Sequence, residues 1–156
     1  MSRNRLVSIV TTFFYVGYLP FIPGTFGSLA GIGVYYLING SIAAYISVVS
    51  LLVVLGLASA GQAEKVFNVK DPKYVVIDEV VGMLLSLLFL PLQHDLKVVI
   101  MGFFVFRLMD TLKPYPIGLI ERLHGGKGIM GDDILAGIYT NIILQAVLRL
   151  LSFTAS

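Results

Sequence analysis

Cysteine is absent from the 156 residues, histidine occurs twice, and only 13% of the chain is charged. Without cysteine there is no disulfide framework, no thiol nucleophile and no thiolate metal site. A net charge of +2 is too small for a nucleic-acid protein. Soluble domains are about half apolar and about a quarter charged. Here 57% of residues are hydrophobic and the mean hydropathy is +0.90, which points to a membrane. The length suits a single domain, residues 1–156.

No A-x-A-like cleavage site follows the basic, apolar start MSRNRLVSIVTTFFYVGYLP. The apolar pattern instead continues past Pro20 and Pro23, so the segment is read as part of the mature protein rather than a leader. About 20 apolar residues in a helix cross the hydrocarbon core. Ile42 to Ala60 is the clearest span and contains no charge. Val75 to Leu92, Val98 to Leu112 and Ile134 to Leu151 follow, and Phe26 to Ile38 is a shorter apolar helix ending at Asn39-Gly40-Ser41. Leu6 to Leu19, with a basic start and Phe13, Phe14, Tyr15 and Tyr18, suits an interfacial helix; a further span is the alternative. The expected fold is an all-α, polytopic membrane bundle of about four to five transmembrane helices plus that interfacial helix.

Two hairpins organise the spans, the second turning at Gln93-His94-Asp95. One membrane face then receives Lys65, Lys70, Lys73, Lys113, Arg122 and Lys127; the other receives Lys97 and Arg149. By the excess of lysine and arginine the first face is cytoplasmic. Asp78 and Glu79, Asp110, and Asp132 and Asp133 fall on the same side, at the ends of separate helices.

Converging carboxylates repel one another and are costly at a membrane boundary, which makes them candidates for function. Alone, Asp132 is accounted for as a helix-capping acid. Capping does not account for adjacent pairs at two helix starts, nor for Asp110 near a helix C-terminus, where the dipole disfavours it. Arg107, on the same helix face as Asp110, and Lys113 supply some positive charge. A divalent cation would supply more, and an all-oxygen set favours Mg²⁺, Mn²⁺ or Ca²⁺ over zinc. Gly82 and Gly137 each follow an aspartate by four residues and either draw the acid-bearing helix ends together or simply pack helices.

In PFIPGTFGSLAGIG, Thr25 and Ser28 lead into a helix on the same side, the arrangement of an anion site or of a plain capped turn. GKGIMG, residues 126–131, fits G-x-G-x-x-G, but without a preceding strand it is not a dinucleotide site. It is read as a plain loop, with a lid or a phosphate contact through Lys127 as the alternatives. Acids, a hard cation, lysine, arginine and an amide-rich turn together make the constellation of phosphoryl chemistry. Its place at a membrane boundary suits a lipid substrate.

PFIPGTFGSLAG, VIDEVVG, FRLMDTLKPYPI and GGKGIMGDDILAG, in this order from Pro20 to Gly137, resemble the motifs of phosphatidylglycerophosphatase A in its membrane-embedded bacterial form. Phe26 stands where that family is expected to carry tryptophan. The resemblance implies Mg²⁺-dependent hydrolysis of phosphatidylglycerophosphate to phosphatidylglycerol and phosphate. It implies a multi-pass protein of the bacterial cytoplasmic membrane with its site facing the cytoplasm. Pro23, Gly24, Thr25, Gly27 and Ser28 match the first motif, Asp78 and Glu79 the second. Arg107, Asp110, Lys113 and Pro114 match the third, Asp132 and Asp133 the fourth.

The expected catalytic set is Asp78, Glu79 and Asp133, with Glu79 and Asp133 as foremost metal ligands and Asp78 as a base. The metal is expected among Asp78, Glu79, Asp110, Asp132 and Asp133, and the phosphate among Thr25, Ser28, Arg107, Lys113 and Lys127. The nucleophile is either water or an aspartate, with water favoured. The competing function is a small cation or proton transporter, which needs carboxylates on a path reaching both faces. A phosphotransferase of the CDP-alcohol type would show D-G-x-x-A-R, which is absent. Small residues Ala30, Gly31 and Gly33 permit a homodimer without requiring one.

Overall fold

A computed structural model describes residues 3–70, 72–90 and 95–154. Among these residues there are seven α-helices and no strand. They are α1 (Arg3–Thr11), α2 (Pro23–Ile38), α3 (Ile42–Phe67), α4 (Ile77–Leu87), α5 (Leu96–Leu112), α6 (Ile117–Ile120) and α7 (Gly126–Thr154), with a 3₁₀ turn at Val16–Tyr18.

Two helices are long and apolar enough to cross a membrane: α3 and the Gly126–Ser152 stretch of α7. Only 17% and 22% of their most apolar windows are buried, whereas the core helix of a soluble fold is mostly buried. The exposed outer surface of α5 is equally apolar, through Leu96, Ile100, Phe104, Leu108 and Leu112 at every fourth residue. The segment Leu6–Leu19 is not one helix. α1 ends at Thr11, and its nine residues span about 14 Å, too short to cross. Phe13, Phe14 and Tyr15 then take left-handed backbone angles that break the chain away from the helix.

The largest departure from expectation is α4. A span was expected over Val75–Leu92, but the helix is Ile77–Leu87, only 11 residues and about 16 Å long. It is also the most enclosed element, with all its residues buried except Glu79 and Leu85. It packs against α2, α3, α5 and α7. Val80, Met83, Leu84 and Leu87 join Phe106 of α5 and Leu144 of α7 in the main core.

A helix that stops inside an apolar bundle leaves carbonyls that water cannot reach. Side chains of the surrounding helices take them up. The Tyr45 hydroxyl donates to the Leu84 carbonyl at 2.6 Å, and Asn141 Nδ2 donates to those of Ser86 and Leu88 at 3.1 and 2.7 Å. Asn141 Oδ1 accepts in turn from Gln145 Nε2 at 2.7 Å. Beyond the helix, Phe89 is left-handed. Asp95 caps α5 by accepting from the Lys97 amide at 2.8 Å. Gln93 and His94 of the expected turn lie outside the described residues.

Glycines set the closest helix contacts. A Cβ on Gly137 would collide with the Gly82 backbone, and one on Gly82 would lie 2.6 Å from the Phe106 ring and 2.7 Å from the Asp133 carbonyl. Gly27 and Gly31 seat α2 on α4, where an added Cβ would lie 2.9 Å from Val76 Cβ and from Met83 Cβ respectively. Gly31 is thus used inside the protomer, and Ala30 packs on the core, leaving only Gly33 of the expected self-association face in the open. Gly137→Ala should therefore destabilise by about 2 kcal/mol through overpacking. Gly33→Ala, with nothing within 4 Å of the new methyl, should leave stability equal or higher. Thermal unfolding of the two variants in detergent checks the contrast.

Candidate active site

Asp78 and Glu79 lie in the first turn of α4, and the Asp78 carboxylate accepts from the Glu79 amide at 3.1 Å. This is ordinary helix-start chemistry. Asp132 and Asp133 were expected to open the last helix, but α7 already begins at Gly126 and holds GKGIMG as helix, not loop. The pair therefore sits about two turns inside the helix, beyond the reach of capping. The glycines that suggested a loop instead let α7 approach α3: a Cβ on Gly126 would lie 2.6 Å from the Leu57 carbonyl.

The Gly82–Gly137 contact brings the two pairs together, each about one turn from its glycine. Asp78, Glu79 and Asp133 each present a carboxylate oxygen such that all three oxygens lie within 4.8 Å of one another. Asp78, Asp132 and Asp133 are 7%, 7% and 4% exposed. Glu79 Oε2, Asp132 Oδ1 and Asp133 Oδ1 are buried and have no hydrogen-bond partner. Three unpartnered buried carboxylate oxygens on residues of one cleft are costly unless something else satisfies them. The close set of Asp78, Glu79 and Asp133, all oxygen and held on two helices, is of the kind a hard cation takes. The residues therefore fit Mg²⁺, and no histidine is among the described residues lining the site.

The cations are held by the same elements. Arg107 pairs with Asp110 in the last turns of α5 at 2.9 Å, and its Nη1 also donates to Ser28 Oγ at 3.4 Å. Ser28 Oγ donates to the Gly24 carbonyl at 3.0 Å, so the hydroxyl joins α2 to the guanidinium. Lys113 takes the left-handed C-cap position of α5, which turns its side chain back across the site. Its ammonium lies 2.7 Å from both Asp132 Oδ2 and Glu121 Oε1. Burial works against this charge, but the two carboxylate hydrogen bonds outweigh it and raise the Lys113 pKa above the ordinary lysine value.

These groups line one cleft of about 330 Å³. All five expected carboxylates, Arg107, Lys113 and Thr25 face it. Gly24 has no room for a side chain, because a Cβ there would strike the Glu79 carboxylate and lie 3.3 Å from the Arg107 guanidinium. Of the expected phosphate contacts, Ser28 is buried behind the wall, touching Arg107 rather than the cleft, and Lys127 is exposed on α7 away from it. Lys73, Pro72, Ile22 and Ile129 also line the cleft without having been singled out. Lys73 had a signal in the sequence: a lysine in the short loop just ahead of the Asp78–Glu79 pair.

The family model described as phosphatidylglycerophosphatase A matches residues 9–148. Phosphatidylglycerophosphatase A of Escherichia coli (strain K12) is 41% identical over 133 residues, covering 84% of this chain and 77% of that protein. The Haemophilus influenzae protein of the same name is 36% identical, covering 80% of this chain and 78% of its own. A Bacteroides thetaiotaomicron protein named putative phosphatidylinositol-3-phosphatase is 37% identical over 96% of this chain and 98% of its own. No solved structure matches the chain. With a family match running through nearly the whole chain and across every wall of the acidic cleft, the protein belongs to the phosphatidylglycerophosphatase A family, a family of phosphatases.

Proposed function

We propose that the protein hydrolyses the terminal phosphomonoester of phosphatidylglycerophosphate, with Mg²⁺, at the cytoplasmic face of a bacterial membrane. The observation that carries this reading is the group of three orphaned carboxylate oxygens in a cleft that also presents arginine and lysine. The names of its relatives support the substrate. The apolar outer surfaces of α3, α5 and α7 support a multi-pass protein in lipid. The lysine-rich connections at the acidic end support a cytoplasmic site.

Glu79 and Asp133 are the foremost ligands for the ion, with Asp78, Asp110 and Asp132 completing the acidic wall. A bound divalent ion supplies neutralisation of phosphate oxygens and a more acidic water. Arg107 and Lys113 then hold the remaining phosphate charge as it develops. Their carboxylate partners keep both cations aimed into the cleft before substrate arrives. Asp78 takes the proton from the attacking water. A new phosphorus–oxygen bond forms, the bond to the glycerol oxygen breaks, and that oxygen leaves with a proton from solvent.

A transporter would carry ionisable groups through to the other end. Among the described residues, the cavity at the far end of α4 is lined by Asn39, Ile42, Tyr45, Leu87, Leu88 and Phe89, with no charged side chain. The polar line of Asn141 and Gln145 is engaged in capping α4.

Phosphate release from phosphatidylglycerophosphate in detergent should need Mg²⁺ and stop with EDTA. Glu79→Gln should lower the rate by about 100-fold or more, since it removes a ligand charge while keeping shape. Release without metal, or a variant as active as wild type, would overturn the site. Arg107→Lys keeps the charge but loses the planar guanidinium whose Nη1 reaches both Asp110 and Ser28. It should lower kcat by about tenfold or more without lowering the unfolding temperature by more than a few degrees.

A further inference from the structure

The proposed substrate carries two phosphates: the monoester that is cut and, a glycerol away, the diester that joins the head group to the lipid. The machinery described so far addresses only the first. Arg107 is committed to Asp110, and Lys113 to Asp132 and Glu121, at 2.7–2.9 Å. The third cation lining the cleft is Lys73. It is exposed and forms no ion pair with a described residue. Its ammonium lies over the Tyr74 ring, 5.8 Å from the centroid.

Although the Lys73 side chain is exposed, its backbone is firmly placed. Tyr74 packs against Tyr18 and Phe67, with ring centroids at 5.4 and 5.7 Å. The Val75 amide donates to the Pro72 carbonyl at 2.8 Å, and the Val76 amide donates to the Thr11 carbonyl at 2.9 Å. A Cβ on Gly17 would collide with the Tyr74 carbonyl, so the chain after α1 presses directly on this loop. The loop then enters α4 at the acidic pair.

The cleft therefore grades from a buried acidic floor to an exposed rim. Asp78 and Asp133 form the floor, and Lys73 and Ile22 belong to the rim. Ile22 is 55% exposed, and its neighbour Phe21, held left-handed, is 96% exposed. A lipid with its monoester on the floor and its acyl chains leaving past Ile22 and Phe21 must carry its diester between them, at the level of Lys73. We propose that Lys73 is a specificity residue that binds the phosphodiester, so that the site selects head groups bearing a diester and a monoester together. This rests on the hydrolase reading above. It applies equally to a phosphorylated inositol lipid, the kind of head group in the name of the Bacteroides relative.

The test compares wild type, Lys73→Gln and Lys73→Arg in detergent with Mg²⁺. Phosphatidylglycerophosphate is the substrate, and the soluble diester glycerophosphoglycerol and inorganic phosphate are separate competitive inhibitors. Lys73→Gln should raise both KM and the inhibition constant of the diester about tenfold, while kcat and the inhibition constant of phosphate move less than twofold. Lys73→Arg should restore most of the diester binding. A wild type insensitive to the diester, a variant that weakens diester and phosphate equally, or one that weakens neither would overturn the subsite while leaving the hydrolase reading intact. A wild type that releases no phosphate would overturn both.

Discussion

Mutual repulsion among five carboxylates is the constraint that the rest of the structure has to satisfy. Left to themselves, Asp78, Glu79, Asp110, Asp132 and Asp133 would drive α4, α5 and α7 apart at one end. The backbone contact of Gly82 with Gly137 resists this, because two helices without side chains at their crossing gain close packing that a rotation would forfeit. Gly27 and Gly31 do the same for α2 against α4. Compression at the glycines is what turns scattered acids into a cluster, and the cluster leaves buried carboxylate oxygens without a hydrogen-bond partner.

The shortness of α4 follows from the same requirement. A helix that carries two acids at its start and sits in the middle of the bundle is surrounded on every side. Its C-terminal carbonyls are handed to Tyr45 and Asn141 instead of to water. Polar side chains that read as unremarkable within apolar helices thus terminate the central element. The polar interior of the protein is divided between two tasks, a charged cleft at one end of α4 and neutral amide and hydroxyl caps at the other.

Positive charge in the cleft is similarly divided. Arg107 and Lys113 are locked by carboxylates, which fixes their direction before any ligand arrives. Lys73 stands apart on a pinned loop at the rim. Cations held in place on the floor suit charge that develops during reaction. A cation held only by its backbone suits charge that is present throughout and serves for selection.

Much of this was legible in the order of residues. The all-helical class follows from long apolar runs, the acidic end from turns that return each acid to one side, and the family from four motifs. Local pattern was enough because apolar length and charge spacing are properties of single segments. The length of α4 was not legible, because the run after Glu79 carries no charge as far as Leu92 and its stop depends on Asn141 and Tyr45 reaching it from other helices. Nor was the start of α7, since four glycines in GGKGIMG look like a loop until α3 is there to pack against the first of them. Ser28 shows a third case: its hydroxyl looked like a ligand for phosphate, and packing turned it toward Arg107. The sequence alone thus determined which residues carry charge and on which side of the bundle they emerge. Only the tertiary structure decided which of them meet, because helix crossings are set by side-chain volumes on neighbours distant in the chain.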